Sequence, residues 1–129
     1  MLLVEDSEDD VFLLLRELKK GGIDPDYQVV DSEEAMESAL QHGGWDIVIT
    51  DHNMPGFTSF RVLELTRKYC FDLPVIIVSG IIGEEVAVNA MKAGAQDYIM
   101  KGNLARLIPA ISREIREGTV RKAKRQGES

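Results

Sequence analysis

The 129-residue sequence has one cysteine, 6% aromatic residues and no apolar run long enough to cross a bilayer. Cys70 has no partner for an internal disulfide, which excludes a disulfide-stapled fold and favours a reducing compartment. No basic and apolar leader precedes the first predicted strand. We therefore expect a soluble, cytoplasmic protein without membrane association, in which 44% hydrophobic residues build the core of one domain.

Basic residues are also scarce, since 15 Lys and Arg stand against 22 Asp and Glu, for a net charge of −7. Residues 1–112 contain 9 basic and 19 acidic residues, which gives a net charge of −10. Residues 113–129 contain 6 basic and 3 acidic residues, which gives a net charge of +3. An acidic body argues against direct nucleic-acid binding by this domain and favours a cation site. The short basic stretch is typical of a solvated helix face or a linker.

Short apolar runs alternate with segments of helical periodicity. Five runs are typical of strands, namely Met1–Val4, Tyr27–Val30, Ile47–Thr50, Pro74–Val78 and Asp97–Met100. Helices should begin near Glu8, Ser59 and Glu84, and Asp31 or Ser32 should cap the second helix of the chain. The alternation predicts an α/β fold, a doubly wound, five-stranded parallel sheet with helices on both faces.

The predicted fifth helix has an apolar stripe along one face, and a proline lies within the same segment. The stripe consists of Leu104, Leu107, Ile108, Ile111 and Ile115. Pro109 lies too deep for a helix that Asn103 caps, because an internal proline removes a hydrogen bond and clashes with the preceding turn. Either the helix kinks at Pro109, or residues 103–107 form a separate turn and the helix begins later.

Four of the five predicted strands end on side chains that can do chemistry. Glu5 and Asp6 follow the first strand, Asp51 the third, Ser79 the fourth and Lys101 the fifth. In an open parallel sheet, ligands bind beyond the carboxyl ends of the strands. If these four strands are neighbours, one crevice holds three acids, a hydroxyl and an amine.

That set of side chains meets the demands of phosphoryl transfer to a carboxylate. An exposed aspartate such as Asp51 is ionised at neutral pH and can act as a nucleophile. Asp6 and Asp51 can supply carboxylates to Mg²⁺, and Glu5 can act on it through water. Ser79 and Lys101 can hydrogen-bond and neutralise the transferred oxygens. Each residue alone is more typical of a turn, a cap or a solvated surface, so the interpretation depends on the set.

The sequence resembles the receiver domain of bacterial two-component response regulators. The resemblance is carried by Leu2–Ser7, Asp51–Gly56, Val78–Gly80, Ala93–Tyr98 and Lys101. The spacings also suit the family, with 45 residues from Asp6 to Asp51, 28 more to Ser79 and 22 more to Lys101. The resemblance covers residues 1–117, which we expect to be the receiver domain. Residues 118–129 would be a basic linker or tail toward a further output domain.

The resemblance implies a flavodoxin-like fold with strand order 2-1-3-4-5. It implies that Asp51 is the phospho-acceptor and that Glu5, Asp6 and Asp51 bind Mg²⁺ together with the backbone carbonyl of Asn53. It further implies a sensor histidine kinase or a histidine phosphotransfer protein as the phosphoryl donor. A second copy of the chain and a covalently linked sensory, kinase or cyclase module are further candidate partners.

The resemblance also implies a switch. Ser79 would bind the phosphoryl group, Lys101 would pair with its oxygens, and Tyr98 would rotate inward. The face made by the fourth helix, the fifth strand and the fifth helix would carry the change to a partner. Gly102 replaces the usual proline after the lysine, and because a cis bond without proline costs about 2.5–4 kcal/mol, we predict a trans bond there.

Two smaller departures from the family pattern concern loops near the acceptor. Gly80 stands where alanine is common, and Ser59 stands where glycine is common. We interpret His52 as a rim residue that tunes access to the acceptor rather than as a metal ligand. None of these departures removes a reacting group.

Two other functions remain open at this stage. An aspartate-nucleophile phosphatase acting on external substrates commonly has a second acid two residues after its nucleophile, where this chain has Asn53. A flavodoxin-like binding module would need a hydroxyl- or glycine-rich loop after the first strand, whereas residues 5–10 are mainly acidic. We expect a domain that is not an enzyme beyond catalysing its own phosphorylation and dephosphorylation.

Overall fold

The computed structural model describes residues 1–80 and 83–116 as a parallel sheet flanked by helices. The helices are α1 (Glu8–Lys20), α2 (Glu33–His42), α3 (Ser59–Tyr69), α4 (Glu84–Lys92) and α5, which covers residues 107–116. The strands are β1 (Leu2–Val4), β2 (Gln28–Val30), β3 (Val48–Asp51), β4 (Asn53–Met54), β5 (Phe57–Thr58), β6 (Val75–Ser79) and β7 (Asp97–Met100). A 3-10 helix, Lys101–Arg106, joins β7 to α5.

The five parallel strands have the order β2-β1-β3-β6-β7, which is the order 2-1-3-4-5 when only the strands of this sheet are counted. The expected fold is therefore confirmed. The register pairs Asp51 with Val78 and Ser79 with Met100, and Lys101 follows Met100 directly. The carboxyl ends of β1, β3, β6 and β7 thus bring the predicted site residues to one edge of the sheet.

Alternate side chains of the strands build two separate cores, one on each face of the sheet. One core joins the sheet to α2, α3 and α4 through buried residues that include Leu2, Val4, Val48 and Ile77. The other joins it to α1 and α5 through buried residues that include Leu3, Ile49, Ile76 and Val78. Because the strands are packed on both faces, their carboxyl ends are held rigidly in relation to one another.

The chain after β7 follows the second of the two predicted arrangements. Residues 101–106 form a separate turn in which Asn103 has non-helical angles (φ −134°, ψ 48°), and α5 begins at residue 107. Pro109 is therefore the third residue of α5. The N–H groups of the first helical residues make no hydrogen bond within the helix, so a proline, which has no N–H, is tolerated there. The bond between Lys101 and Gly102 is trans, as predicted.

A small antiparallel hairpin, which the sequence pattern does not predict as strands, follows the central strand. β4 and β5 pair Met54 with Phe57, and both side chains are buried. Between them Gly56 has a φ of 90°, a left-handed conformation that favours glycine. The predicted Pro55-Gly56 turn is thus the tip of a hairpin that fixes the backbone just beyond Asp51.

Several element boundaries differ from the predicted ones by one residue. β3 begins at Val48, although Ile47 is fully buried and its carbonyl accepts a hydrogen bond from the N–H of Leu2 at 3.0 Å. Ser32, and not Asp31, caps α2, since its Oγ accepts a hydrogen bond from the N–H of Ala35 at 3.2 Å.

The predicted domain limit at residue 117 and the segment 118–129 lie outside the described residues. Across residues 1–80 and 83–116, no helix combines the length and the apolar character needed to cross a membrane.

Candidate acidic site at the carboxyl edge of the sheet

Three carboxylates converge where β1 and β3 end. One oxygen from each of Glu5, Asp6 and Asp51 lies within 4.8 Å of the others. The side chains of Glu5 and Asp51 are only 12% and 13% exposed, whereas Asp6 is exposed. Such a set of oxygen donors, open to solvent on one side, fits a hard divalent cation that keeps part of its water shell.

Local backbone geometry orients two of these carboxylates. Glu5 Oε1 accepts hydrogen bonds from the N–H groups of Asp6 and Ser7 at 3.0 and 3.1 Å. Asp51 Oδ1 accepts one from the N–H of His52 at 2.8 Å. The second oxygens, Glu5 Oε2 and Asp51 Oδ2, consequently face Lys101, whose Nζ lies 3.3 and 3.4 Å from them.

Lys101 has a third acidic partner that the sequence pattern does not single out. Its Nζ donates a hydrogen bond to Asp10 Oδ2 at 2.6 Å, the shortest of its three ion-pair distances. Burial lowers the pKa of Lys101, but the bond to Asp10 and the charges of Glu5 and Asp51 outweigh burial and raise the pKa above its usual value. Lys101 is therefore charged, and three carboxylates share its ammonium.

The pKa of Glu5 is raised to about 7, mainly because the carboxyl is partly buried. The hydrogen bond from the N–H of Ser7 opposes this shift, and the negative charge of Asp51 adds to it. The attraction of Lys101 lowers the pKa but does not cancel the effect of burial. Near neutral pH the Glu5 carboxyl is therefore partly protonated, and a cation bound beside it would favour its ionised form.

The structure places the remaining predicted residues around the same edge. Ser79 is the last residue of β6 and is buried, and Tyr98 is a half-buried residue of β7. Asn53 begins β4, with its side chain exposed. The parts that the resemblance assigns to Ser79, Tyr98 and the Asn53 carbonyl remain predictions.

His52, predicted as a rim residue, is half-buried and its side chain has defined partners. Its Nδ1 shares a hydrogen bond with Ser59 Oγ at 2.7 Å, and its carbonyl accepts the N–H of Ser59 at 2.8 Å. The imidazole lies edge-on to Phe60, with ring centroids 5.7 Å apart, and 6.5 Å from the ring of Tyr98. Two elements, α3 and β7, thus supply the neighbours of the side chain that follows Asp51.

A five-stranded flavodoxin-like sheet with an acidic, lysine-bearing carboxyl edge defines a class of α/β domains suited to cation-assisted chemistry at that edge. The family model described as response regulator receiver domain matches residues 1–112, and the chain belongs to this family of two-component proteins. The response regulator protein FleR of Pseudomonas aeruginosa is 36% identical over 108 residues, which are 84% of this chain and 22% of FleR. The chain spans less than half the length of the first curated relatives that it matches.

Solved receiver domains share the fold. The signal receiver domain of a LuxO repressor protein from Vibrio parahaemolyticus superposes with a TM-score of 0.83 at 23% identity, covering 95% of this chain and 93% of that one. The beryllofluoride-activated NtrC4 receiver domain dimer gives 0.79 at 21% identity, with 91% and 96% covered. The receiver domain of sensor histidine kinase PA1611 from Pseudomonas aeruginosa PAO1, with a magnesium ion in its cleft, gives 0.74 at 20% identity, with 88% and 94% covered. These relatives give no support to the phosphatase alternative.

Proposed function

We propose that the domain is a phosphorylation switch in which Asp51 accepts a phosphoryl group from the phosphohistidine of a sensor histidine kinase or a histidine phosphotransfer protein. The convergence of the Glu5, Asp6 and Asp51 carboxylates beside the Lys101 ammonium is the observation that carries this proposal. A partly exposed carboxylate on a rigid sheet edge is accessible to a donor and can act as a nucleophile.

Mg²⁺ is the proposed cofactor. Oxygens of Glu5, Asp6 and Asp51 would hold it, and the backbone carbonyl of Asn53 would be a further ligand. When bound, Mg²⁺ neutralises charge between these carboxylates and an anionic phosphoryl donor. The excess of carboxylates over positive groups at the site supports this assignment, as does the magnesium ion in the PA1611 receiver domain.

In the proposed transfer, an oxygen of Asp51 attacks phosphorus while the bond from phosphorus to the donor imidazole breaks. The imidazole nitrogen keeps the electron pair of that bond, and Asp51 becomes an aspartyl phosphate. Lys101, 3.4 Å from Asp51, would neutralise the transferred oxygens, and the hydroxyl of Ser79 would hydrogen-bond to them. The domain would act only on itself, in gaining and in losing this group.

The proposed switch runs from Ser79 to the face formed by α4, β7 and α5. Binding of the phosphoryl group by Ser79 would draw the loop that carries Ser79 inward, and Tyr98 would then rotate to an inner position. Val88 and Met91 of α4 are exposed apolar side chains, which suits a helix that contacts a partner. A second copy of the chain is one such partner, by analogy with the NtrC4 receiver dimer.

The remaining assignments concern the whole protein. We place the receiver domain at residues 1–117, and residues 118–129 as a linker to a sensory, kinase or cyclase module, in a cytoplasmic protein. The net negative charge of residues 1–112 supports a domain that does not itself contact nucleic acid or a membrane.

Acetyl phosphate tests the acceptor. Incubation with acetyl phosphate and Mg²⁺ should add one phosphoryl group to the chain, measured by intact-protein mass spectrometry. Asp51→Asn should reduce the labelling to background, and EDTA should suppress it in the unsubstituted chain. Asp31→Asn is the matched control, because Asp31 is an exposed acid just beyond β2 at the same sheet edge but outside the cluster. Labelling that persists in Asp51→Asn would contradict the assignment.

A further inference from the structure

The ammonium of Lys101 lies closer to Asp10 than to Glu5 or Asp51, two of the three carboxylates of the candidate cation site. The distances from Nζ are 2.6 Å to Asp10, 3.3 Å to Glu5 and 3.4 Å to Asp51. Three-quarters of the Lys101 side chain is removed from solvent, as is two-thirds of the Asp10 side chain. Such a pair is screened less than a surface ion pair and holds its geometry better.

The position of Asp10 is determined by its place in helix α1. It lies in the first turn of α1, where its N–H donates to Oγ of the N-cap residue Ser7 at 3.3 Å. Asp10 is outside the group of carboxylates that converge among the described residues, namely Glu5, Asp6 and Asp51. Its contact is with the lysine rather than with the cation site.

An ammonium and a divalent cation compete for the same carboxylates. If Lys101 had only Glu5 and Asp51 as partners, its charge would settle between them and oppose a cation there. We propose that Asp10 is a positioning residue that draws the Lys101 ammonium toward α1 and thereby keeps the Glu5 and Asp51 carboxylates available to Mg²⁺. This inference rests on the proposed function, since it presumes that the carboxylates bind Mg²⁺.

The proposal separates two effects of removing the Asp10 charge. Any acid lost from the first turn of α1 weakens the general attraction for a cation, and Asp9→Asn measures that effect alone, because Asp9 is exposed. Asp10→Asn has the same general effect and also releases Lys101 toward Glu5 and Asp51. The specific effect is the excess of Asp10→Asn over Asp9→Asn.

Calorimetric titration of the full chain with MgCl₂ at constant ionic strength measures this excess without any phosphorylation. We expect Asp10→Asn to raise the Kd for Mg²⁺ about three- to tenfold and Asp9→Asn to raise it less than about twofold. In a Lys101→Met background, Asp10→Asn should have no larger effect than Asp9→Asn, because no ammonium remains to be released.

The outcomes distinguish the two proposals. Equal effects of Asp10→Asn and Asp9→Asn in the unsubstituted background would overturn the role of Asp10. A large effect of Asp10→Asn that persists with Lys101→Met would also overturn it, since Asp10 would then act on the cation directly. Failure of the unsubstituted chain to bind Mg²⁺ would instead contradict the proposed function.

Discussion

At the scale of single residues, the side chain of His52, next to Asp51, is hydrogen-bonded to a residue seven positions later in the sequence. His52 shares a hydrogen bond with Oγ of Ser59, which is fully buried in the first turn of α3. The backbone N–H of His52 donates to Asp51 Oδ1, and its imidazole lies 6.5 Å from the ring of Tyr98. Ser59 thus has a defined hydrogen-bond partner in this chain.

Ser59→Ala should lower the free energy of unfolding by about 0.5–1.5 kcal/mol, because Nδ1 of the half-buried His52 loses its partner. Urea denaturation measures the change. Ser38→Ala is the control, since Ser38 is exposed in α2 and alanine there should leave stability unchanged or slightly higher. A similar result for both variants would show that the bond from Ser59 contributes nothing.

The reacting side chains could be predicted at this scale, but their neighbours could not. Strand ends in a parallel sheet share an edge, so Glu5, Asp51 and Lys101 could be grouped from the sequence. The contact of Lys101 with Asp10 joins residues 91 positions apart and depends on the rotation of α1 about its own axis. An acid in the first turn of a helix is common for reasons of the helix dipole, so its sequence pattern does not mark it as a partner.

At the scale of elements, the hairpin after β3 determines the path of the backbone just beyond Asp51. Its two strands have only two residues each and are too short to show an alternating sequence pattern. The sequence does predict the turn between them, at Pro55-Gly56. The turn requires a left-handed residue, Gly56, whose added Cβ would meet open space. Strain there would arise from backbone conformation and not from crowding.

Gly56→Ala should therefore lower the free energy of unfolding by about 1–2 kcal/mol. Gly102→Ala is the matched control, because Gly102 also faces open space but has no left-handed backbone angle. Alanine at position 102 should be neutral or stabilising by up to about 1 kcal/mol, since it restricts the unfolded chain. Equal losses from the two substitutions, measured by chemical denaturation, would refute the conformational explanation.

At the scale of the whole molecule, alternating strands and helices specify the fold, and the fold specifies where charge accumulates. The strand and helix segments, both cores and the shared edge follow from apolar periodicity, whereas the order of the strands comes from family resemblance. The start of α5 could not be predicted, because Pro109 is compatible with a kink as well as with a late start. In the structure, the 3-10 helix Lys101–Arg106 packs against β7 and α1, and α5 begins after it.

Because three carboxylates converge at the carboxyl edge of the sheet, we expect a divalent cation to stabilise the folded state. Mg²⁺ should raise the denaturation midpoint at constant ionic strength, because it binds the folded chain in preference to the unfolded one. Asp6→Asn should remove most of this increase, whereas Asp31→Asn should retain it. An equal increase in all three proteins would indicate general screening and no specific site.

The most direct test of the central claim locates the phosphoryl group itself. Borohydride reduces an aspartyl phosphate to homoserine, so a chain treated with acetyl phosphate and Mg²⁺ and then reduced can be digested and sequenced by tandem mass spectrometry. Homoserine at position 51, absent when acetyl phosphate or Mg²⁺ is omitted, is the predicted result. Homoserine at another acidic position with residue 51 unchanged would contradict the account.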